Sequence, residues 1–396
     1  MGHIDVPGMA RTHARHIMIQ PRLLMVLNDA PFFITHRLPV ALAARDAGFE
    51  VHIAAPYDDG PVAVMRHEGL HHHDIPLKRG ARRVGGEIAL ILALWRIVGT
   101  IRPDVMHAVT MKPVLYAGLV ARLRSVPAVV HAVTGLGYLF LIEGLAARLQ
   151  RALVKRLYRF ALGHRNAVAI FQNPDDLALF CDSHLVDPAI TVMIRGCGVD
   201  MTHFAQRPEP DGKPVVVFPA RILGDKGVHE FVAAARQHYD AANFVLVGRT
   251  DSDNPTDVGE TGIRAWEREG ILTWQGFADD MPTALAQSNI VCMPSYREGL
   301  PRVLIEAAAI GRAIVTTDVP GCREIVRHQE NGLLVPARDQ DGTAAAVKRL
   351  IDDPTLRARL AAHGRAVAET EFSVGIFVRQ SLGAYRQVLP SAFPDS

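Results

Sequence analysis

The stretch Ile290-Val-Cys-Met-Pro-Ser-Tyr-Arg-Glu-Gly-Leu-Pro-Arg-Val-Leu-Ile-Glu306 runs through strand, loop and helix patterns in turn. Ile290 to Pro294 is a short apolar run bounded by loop residues, as in a buried strand. Pro301 suits the first turn of a helix, where a missing N–H costs nothing. A helix is therefore expected to open between Gly299 and Arg302 with its free amides pointing out of the loop. An anion belongs at such an end. Glu306 falls about one and a half turns further on, among Val303, Leu304, Ile305, Ala307 and Ala308, where an unpaired carboxylate is costly. It needs a cation or hydroxyls to accept from, and a ribose diol meets that need as it does for the acid of dinucleotide-binding folds. The stretch reads as a sugar-nucleotide clamp. Taken alone, E-x7-E fits better with a plainer arrangement, in which Glu306 pairs with a basic side chain and Glu298 is a solvated loop residue.

What precedes it shifts the balance. In Pro219-Ala-Arg-Ile-Leu-Gly-Asp-Lys-Gly227 an apolar strand, Val215 to Phe218, enters a turn carrying Arg221 and Lys226, and a helix starts near Val228. In a parallel sheet such turns gather at the carboxyl ends of the strands, where ligands bind. Arg221 offers a planar fork for phosphate oxygens and Lys226 a point charge, enough to hold a diphosphate without a metal.

With these two constellations the chain resembles the retaining glycosyltransferases of the large family 4 class, which have the GT-B architecture. Further matching features are Gly248 after the strand Phe244 to Val247, Gly276-Phe277 after Ile271 to Gln275, Pro320-Gly-Cys-Arg-Glu-Ile-Val326 and Asn331-Gly-Leu-Leu-Val335. The resemblance covers most of the chain. It implies an α/β fold of two doubly wound Rossmann-like domains facing across a cleft. It also implies that Arg221 and Lys226 bind the donor diphosphate, Glu298 touches the donor sugar and Glu306 holds the ribose, with Gly248, Phe277, Gly299 and Leu300 lining the donor side. Family members often carry a His near the reacting carbon; the matching position here is Thr134, with His131 three residues upstream expected to point elsewhere. Thr134 keeps a hydroxyl for the donor sugar. No general base is assigned, since the leaving phosphate serves as base in a retaining transfer of this type.

Composition agrees. At 396 residues, 49% of them apolar, the chain supplies two cores, and a net charge of +2 argues against a nucleic-acid partner selected by bulk charge. Cys181, Cys197, Cys292 and Cys322 have no C-x-x-C spacing and read as reduced thiols, which favours the cytoplasm. Met1 to Gln20 lacks a signal-like apolar region and is expected to be disordered. Short β-branched runs alternate with helical stretches twice over: strands are expected at Leu23 to Leu27, Val51 to Ala54, Val105 to Ala108, Ala128 to Val133 and Ala167 to Phe171, and the pattern restarts at Val215. The expected domains are therefore 21–206 on the acceptor side and 215–371 on the donor side. A proline-rich linker, 207–214, joins them. In the family a terminal helix, here within 372–396, crosses back to the first domain.

Other signals have plainer readings. Asp251-Ser-Asp253 matches a metal-diphosphate motif of a different glycosyltransferase architecture, but Asn254, Pro255 and Gly259 make it a solvated loop, and no metal is expected. His71-His-His73 alternates direction as a surface strand does, which converges poorly on one zinc ion. Neither Gly135-Leu-Gly137 nor Gly196-Cys-Gly198 has glycine at the third fingerprint position, so no nicotinamide cofactor is expected. His36 is expected at the front of the first helix, His36 to Ala47, either as a cleft residue of the donor site or as a helix-start residue with no role in catalysis.

Between Glu143 and Asp175 there is no acid, while Arg148, Arg151, Lys155, Arg156 and Arg159 recur at helical spacing opposite Leu145, Leu149, Leu153, Leu157 and Phe160. Such a helix, 145–160, either rests on an anionic leaflet or packs on its own sheet with a solvated charged face. Ile88 to Val98 is apolar but too short to span a bilayer. The resemblance implies transfer of a hexose or N-acetylhexosamine from a nucleoside diphosphate sugar, UDP-linked by expectation, to a lipid-linked saccharide in bacterial surface polysaccharide or glycan assembly, at the cytoplasmic membrane face. A nucleotide-sugar 2-epimerase, or a non-catalytic sugar-nucleotide-binding protein, remains the alternative.

Overall fold

The structure, a computed structural model, describes residues 20–77, 84–135 and 145–393; the expected disordered N-terminus falls almost wholly outside them. The first half runs β1 (Arg22–Val26), α1 (Ala30–His36), α2 (Leu38–Asp46), β2 (Glu50–Ala55), α3 (Asp59–His67), β3 (His71–Asp74), α4 (Val84–Ile101), β4 (Val105–Val109), α5 (Met111–Leu123), β5 (Ala128–Val133), α6 (Leu145–Leu162), β6 (Ala167–Phe171), α7 (Pro174–Asp182) and β7 (Thr191–Met193). The second runs β8 (Val215–Pro219), α8 (Val228–His238), β9 (Asn243–Val247), α9 (Gly259–Arg268), β10 (Thr273–Trp274), α10 (Met281–Ala286), β11 (Ile290–Met293), α11 (Arg302–Ile310), β12 (Ala313–Thr317), α12 (Cys322–Ile325), β13 (Leu333–Val335), α13 (Gln340–Asp352), α14 (Pro354–Glu371) and α15 (Val374–Val388).

Among the described residues the strands form two parallel sheets, ordered β3-β2-β1-β4-β5-β6-β7 and β10-β9-β8-β11-β12-β13. In each, strand order reverses once, between β1 and β4 and between β8 and β11, as in doubly wound dinucleotide-binding folds. Central strands such as β4, β5 and β12 are buried at every residue, because helices cover both faces. Leu24, Met106 and Val129 pack on one side of the first sheet and Leu23, Met25 and Val130 on the other. The second sheet has its own core around Phe218, Phe231, Phe244 and Ile305.

The terminal helix α15 lies on the first sheet: Tyr385 is fully buried there, with its hydroxyl 2.7 Å from His107 Nδ1. The segment 207–214 is fastened to the second domain. Arg312, fully buried, donates to the carbonyls of Arg207 at 2.9 Å and Pro208 at 2.8 Å, and Glu209 accepts from Arg357 Nε at 2.8 Å. A buried guanidinium must spend its donors on acceptors, and the segment supplies them.

Two expectations change. The chain forms a short helix before His36, because Asp29 caps it by accepting from the Phe32 N–H at 2.9 Å and Pro31 follows in the first turn; His36 thus ends α1 and does not open a helix. Along α6, Val154, Tyr158 and Ala161 face the core together with Leu157 of the expected stripe, and leave Leu153 and Phe160 outside at 59% and 39% exposure. The side chains of Leu145, Arg148, Leu149 and Arg151 lie outside the described residues.

Candidate active site

The carboxyl ends of β8 and β11 lie side by side at the reversal point of the second sheet, the position at which open parallel sheets take ligands. The turn after β8 brings Arg221 and Lys226, and the loop after β11 brings Glu298. Lys226 Nζ donates to Glu298 Oε1 at 2.7 Å, and Ser295 Oγ donates to the same oxygen at 2.8 Å. The Lys226 and Glu298 side chains are only 17% and 14% exposed, so their charges meet in a partly dried setting. Arg221 Nη1 is hydrogen-bonded to Asp251 Oδ2, so the first acid of Asp251-Ser-Asp253 serves a guanidinium.

Close backbone approach shapes the floor. A Cβ at Gly248 would lie 1.8 Å from the Ala220 carbonyl oxygen, so only glycine lets the end of β9 run beneath the Arg221 turn. Gly248 also donates to the Gly276 carbonyl at 2.7 Å and accepts from Trp274 Nε1 at 2.9 Å. Next to Gly276, Phe277 presents an exposed ring with the Arg249 guanidinium 3.9 Å from its centroid.

Helix α11 starts at Arg302, with Pro301 as its extended capping residue. Glu306 is 8% exposed and forms an ion pair with Arg302 Nε at 2.8 Å, so its partner in this structure is basic. Burial pushes its pKa up, and Arg302 pulls in the opposite direction. Arg302 also donates across to the Thr35 carbonyl, one residue before His36. The His36 ring stacks on Phe32 at 4.1 Å and has Nδ1 2.6 Å from Thr35 Oγ1.

From the first domain, the residue after β5 closes the site. A Cβ at Gly299 would lie 2.3 Å from the Thr134 carbonyl oxygen, so the two domains touch here through bare backbone. Thr134 also lines a small cavity with Arg37, His107 and Phe377, and Leu300 packs against Gly196. His131 turns away: it is fully buried beside Gly118 and Ala161, and burial holds its pKa down at about 3. The structure thus groups Lys226, Glu298, Gly299 and Thr134 closely, and sets Arg221, Gly248 and Phe277 along the second sheet. Glu306 lies behind Arg302, towards the His36 end of α1.

Four residues of this cleft were not foreseen from sequence: Arg302, Arg297, Asn173 and Asp176. Asn173-Pro-Asp-Asp176 does carry a helix-start signature, a capping residue followed at the third position by an acid. Nothing in it says what the helix start faces.

Comparison with known proteins identifies the family. Residues 22–173 match the family model Glycosyl transferase 4-like, and residues 200–367 match Glycosyl transferases group 1. The chain belongs to the family 4-like glycosyltransferases with the GT-B architecture, and it is a hexosyltransferase. It is 27% identical, over 92% of its own length and 98% of the relative's, to N,N'-diacetylbacillosaminyl-diphospho-undecaprenol alpha-1,3-N-acetylgalactosaminyltransferase of Campylobacter jejuni. It is 25% identical to UDP-Gal:alpha-D-GlcNAc-diphosphoundecaprenol alpha-1,3-galactosyltransferase of Escherichia coli, over 67% of the chain and 71% of that protein. In fold it is similar to Anabaena Alr3699/HepE in complex with UDP and glucose, with a TM-score of 0.72 at 18% identity, over 92% of this chain and 98% of that one.

Proposed function

We propose that the protein transfers a hexose or N-acetylhexosamine, with retention of anomeric configuration, from a UDP-sugar to a lipid-linked saccharide in surface polysaccharide or glycan assembly. The observation that carries this reading is the meeting of Lys226 and Glu298 at the reversal point of the second sheet, directly opposite Thr134. Arg221 and Lys226 receive the diphosphate and stabilise its growing charge as it departs, an electrostatic role that strengthens when the closed cleft excludes water. In this reading two cations, and no metal ion, meet that charge. Donor binding then exchanges partners: Arg221 gives up Asp251 and Lys226 gives up Glu298 for phosphate oxygens, which frees Glu298 to orient the donor sugar. Glu306 accepts from the ribose in place of Arg302, and Thr134 offers its hydroxyl to the donor sugar. Gly248, Phe277, Gly299 and Leu300 line the donor side, with His36 at its first-domain edge. The two bacterial relatives named for diphospho-undecaprenol sugars support a lipid-linked acceptor.

The flank formed by α4, α5 and α6 supports a peripheral position on an anionic leaflet of the inner membrane face. Ile88 and Leu92 of α4 are 53% and 48% exposed, close to the value for Leu153 of α6. Between them the end of α5 sets Arg124 over the Trp95 ring at 3.9 Å and Arg122 over the Phe160 ring at 4.3 Å. Apolar side chains, aromatic rings and cations on one surface are what a headgroup layer takes up. Among the described residues no helix is long and apolar enough to cross a membrane.

The test is incubation of the purified protein with a panel of nucleoside diphosphate sugars, with and without bacterial membrane lipid extract, reading nucleoside diphosphate release and label entering lipid. Lipid-dependent release with labelled lipid supports transfer. Conversion of donor to an isomer without release makes an epimerase the better reading.

A further inference from the structure

Helix α7 of the first domain opens directly against the loop that carries Glu298. Its capping residue Asn173 is fully buried. The Asn173 side chain accepts from the Asp176 N–H at 2.8 Å, and its amide donates to Asp176 Oδ2 at 3.0 Å and, across the cleft, to the Gly299 carbonyl at 2.8 Å. Asp176 is 1% exposed, and its Oδ1 accepts from Arg297 Nη2 at 2.9 Å. Both carboxylate oxygens are engaged, one within α7 and one by the second domain. Alongside, Asp175 faces Arg323 at 3.4 Å. The two residues gripped from across the cleft, Arg297 and Gly299, are the chain neighbours of Glu298 on either side.

Glu298 has two anchors in its own domain, Lys226 Nζ and Ser295 Oγ, and both act on one oxygen of its side chain. Neither holds the backbone on which that side chain rides. Asn173 holds that backbone at the Gly299 carbonyl, and Asp176 holds the preceding residue through the Arg297 guanidinium. A carboxylate as buried as Asp176 is costly to leave without its cation. Parting the domains removes Arg297 and the Gly299 carbonyl together and lets water reach Asp176, so the grip exists only in the closed form. Resting on the reading of Glu298 as the donor-sugar contact, we propose that Asn173 and Asp176 are positioning residues, which set the Glu298 loop for transfer when the domains close. Capping of α7 alone does not account for the arrangement, since Arg297 and Gly299 contribute nothing to the cap.

The test uses the full chain, with UDP-hexose and UDP-N-acetylhexosamine donors on a polyprenyl-diphosphate-linked sugar in detergent, and compares Asp176→Asn, Arg297→Gln and the double variant. Each single change is expected to lower kcat by roughly tenfold and to weaken UDP binding, because a domain pair that no longer closes loses the part of the affinity that closure supplies. The double variant should be no slower than the worse single one, because both remove the same contact. Arg297→Gln leaves Asp176 without its cation and should lower the thermal midpoint as well as kcat. If Asp176 only caps α7, its variant loses thermal stability while Arg297→Gln turns over normally; that outcome, or additive losses in kcat, overturns the proposal. A second readout needs no turnover: fluorescence transfer between dyes on the two domains, titrated with UDP, should show Asp176→Asn failing to close, and normal closure overturns the proposal as well. Lys226→Ala separates the two ideas. If that variant is nearly fully active, the donor-site reading itself fails; if it is inactive while Asp176→Asn is normal, only the positioning role fails.

Discussion

Glu306 and Arg302, four residues apart on α11, form an ion pair at 2.8 Å with the carboxylate almost sealed from solvent. A residue expected to hold a ribose is therefore already neutralised before any donor arrives. In the proposed reading a ribose replaces Arg302 at Glu306, and Arg302 also reaches Thr35 of the first domain.

Burial holds the Glu306 pKa above its ordinary 4.5. The unfolded chain then gives up this proton at a lower pH than the folded one, so the stability linked to Glu306 is full below 4.5 and is lost as pH rises through the folded value. Glu306→Gln has no such titration. The thermal midpoint of wild type relative to Glu306→Gln should fall steadily as pH is raised from acid to neutral. The same variant should bind UDP roughly tenfold more weakly, as for loss of a hydrogen bond to a charged group; unchanged affinity by titration calorimetry would remove Glu306 from the ribose site.

Lys226→Ala removes the partner of Glu298 and, in the proposed reading, a charge contact to the departing diphosphate. Turnover should drop by roughly a hundredfold or more, read as nucleoside diphosphate release at saturating donor. Near-normal turnover would sink the assignment of this turn to the diphosphate.

Gly248→Ala drives a methyl group into the Ala220 carbonyl and cannot be absorbed by a side-chain rotation. The expected cost is about 1–3 kcal/mol, measured by urea unfolding. Because the carbonyl it displaces precedes Arg221, UDP affinity should fall in parallel.

His131, fully buried, stays neutral down to about pH 3, whereas in the unfolded chain it protonates near 6.5. Stability is therefore lost as pH falls from 6.5, since only the unfolded chain takes up the proton there. His131→Leu should show a flatter loss of thermal midpoint between pH 6.5 and 4 than wild type; an identical slope would place the acid sensitivity elsewhere, with His52, lowered to about 4, as the next candidate.

Leu92→Glu combined with Leu153→Glu puts two acids on the exposed flank without touching a buried position. Sedimentation with vesicles containing phosphatidylglycerol should fall by roughly tenfold or more, while transfer to a water-soluble acceptor analogue stays unchanged. Equal sedimentation of both proteins would assign that flank to solvent.

Much of the fold was legible because buried parallel strands leave a strong local record. Ala128–Val133 and Ala167–Phe171 begin and end where the apolar runs do, since every residue in them is enclosed. The reversal-point turns were legible too, with Arg221 and Lys226 after one strand and Glu298 after another. Where weak local signals competed, the reading slipped. Asp29 and Pro31 start a helix earlier than the apolar pattern announced, and the half-buried edge strand β7 has too little periodicity to be recognised. Leucines spaced along α6 gave its amphipathic character but not its rotation, because Val154, Tyr158 and Ala161 form an equally good stripe.

By itself the sequence determined the run of βα units, their division into two halves and the residue types at the end of each strand. Those depend on short-range physics: side-chain period, caps, and the conformational limits of proline and glycine. Only the tertiary structure decided that Arg302 reaches Thr35, that Gly299 meets Thr134 across bare backbone, and that the start of α7 grips the neighbours of Glu298. Those pairings join residues from separate turns or separate domains. Their geometry is set by how two sheets close on one another, and no local pattern records that.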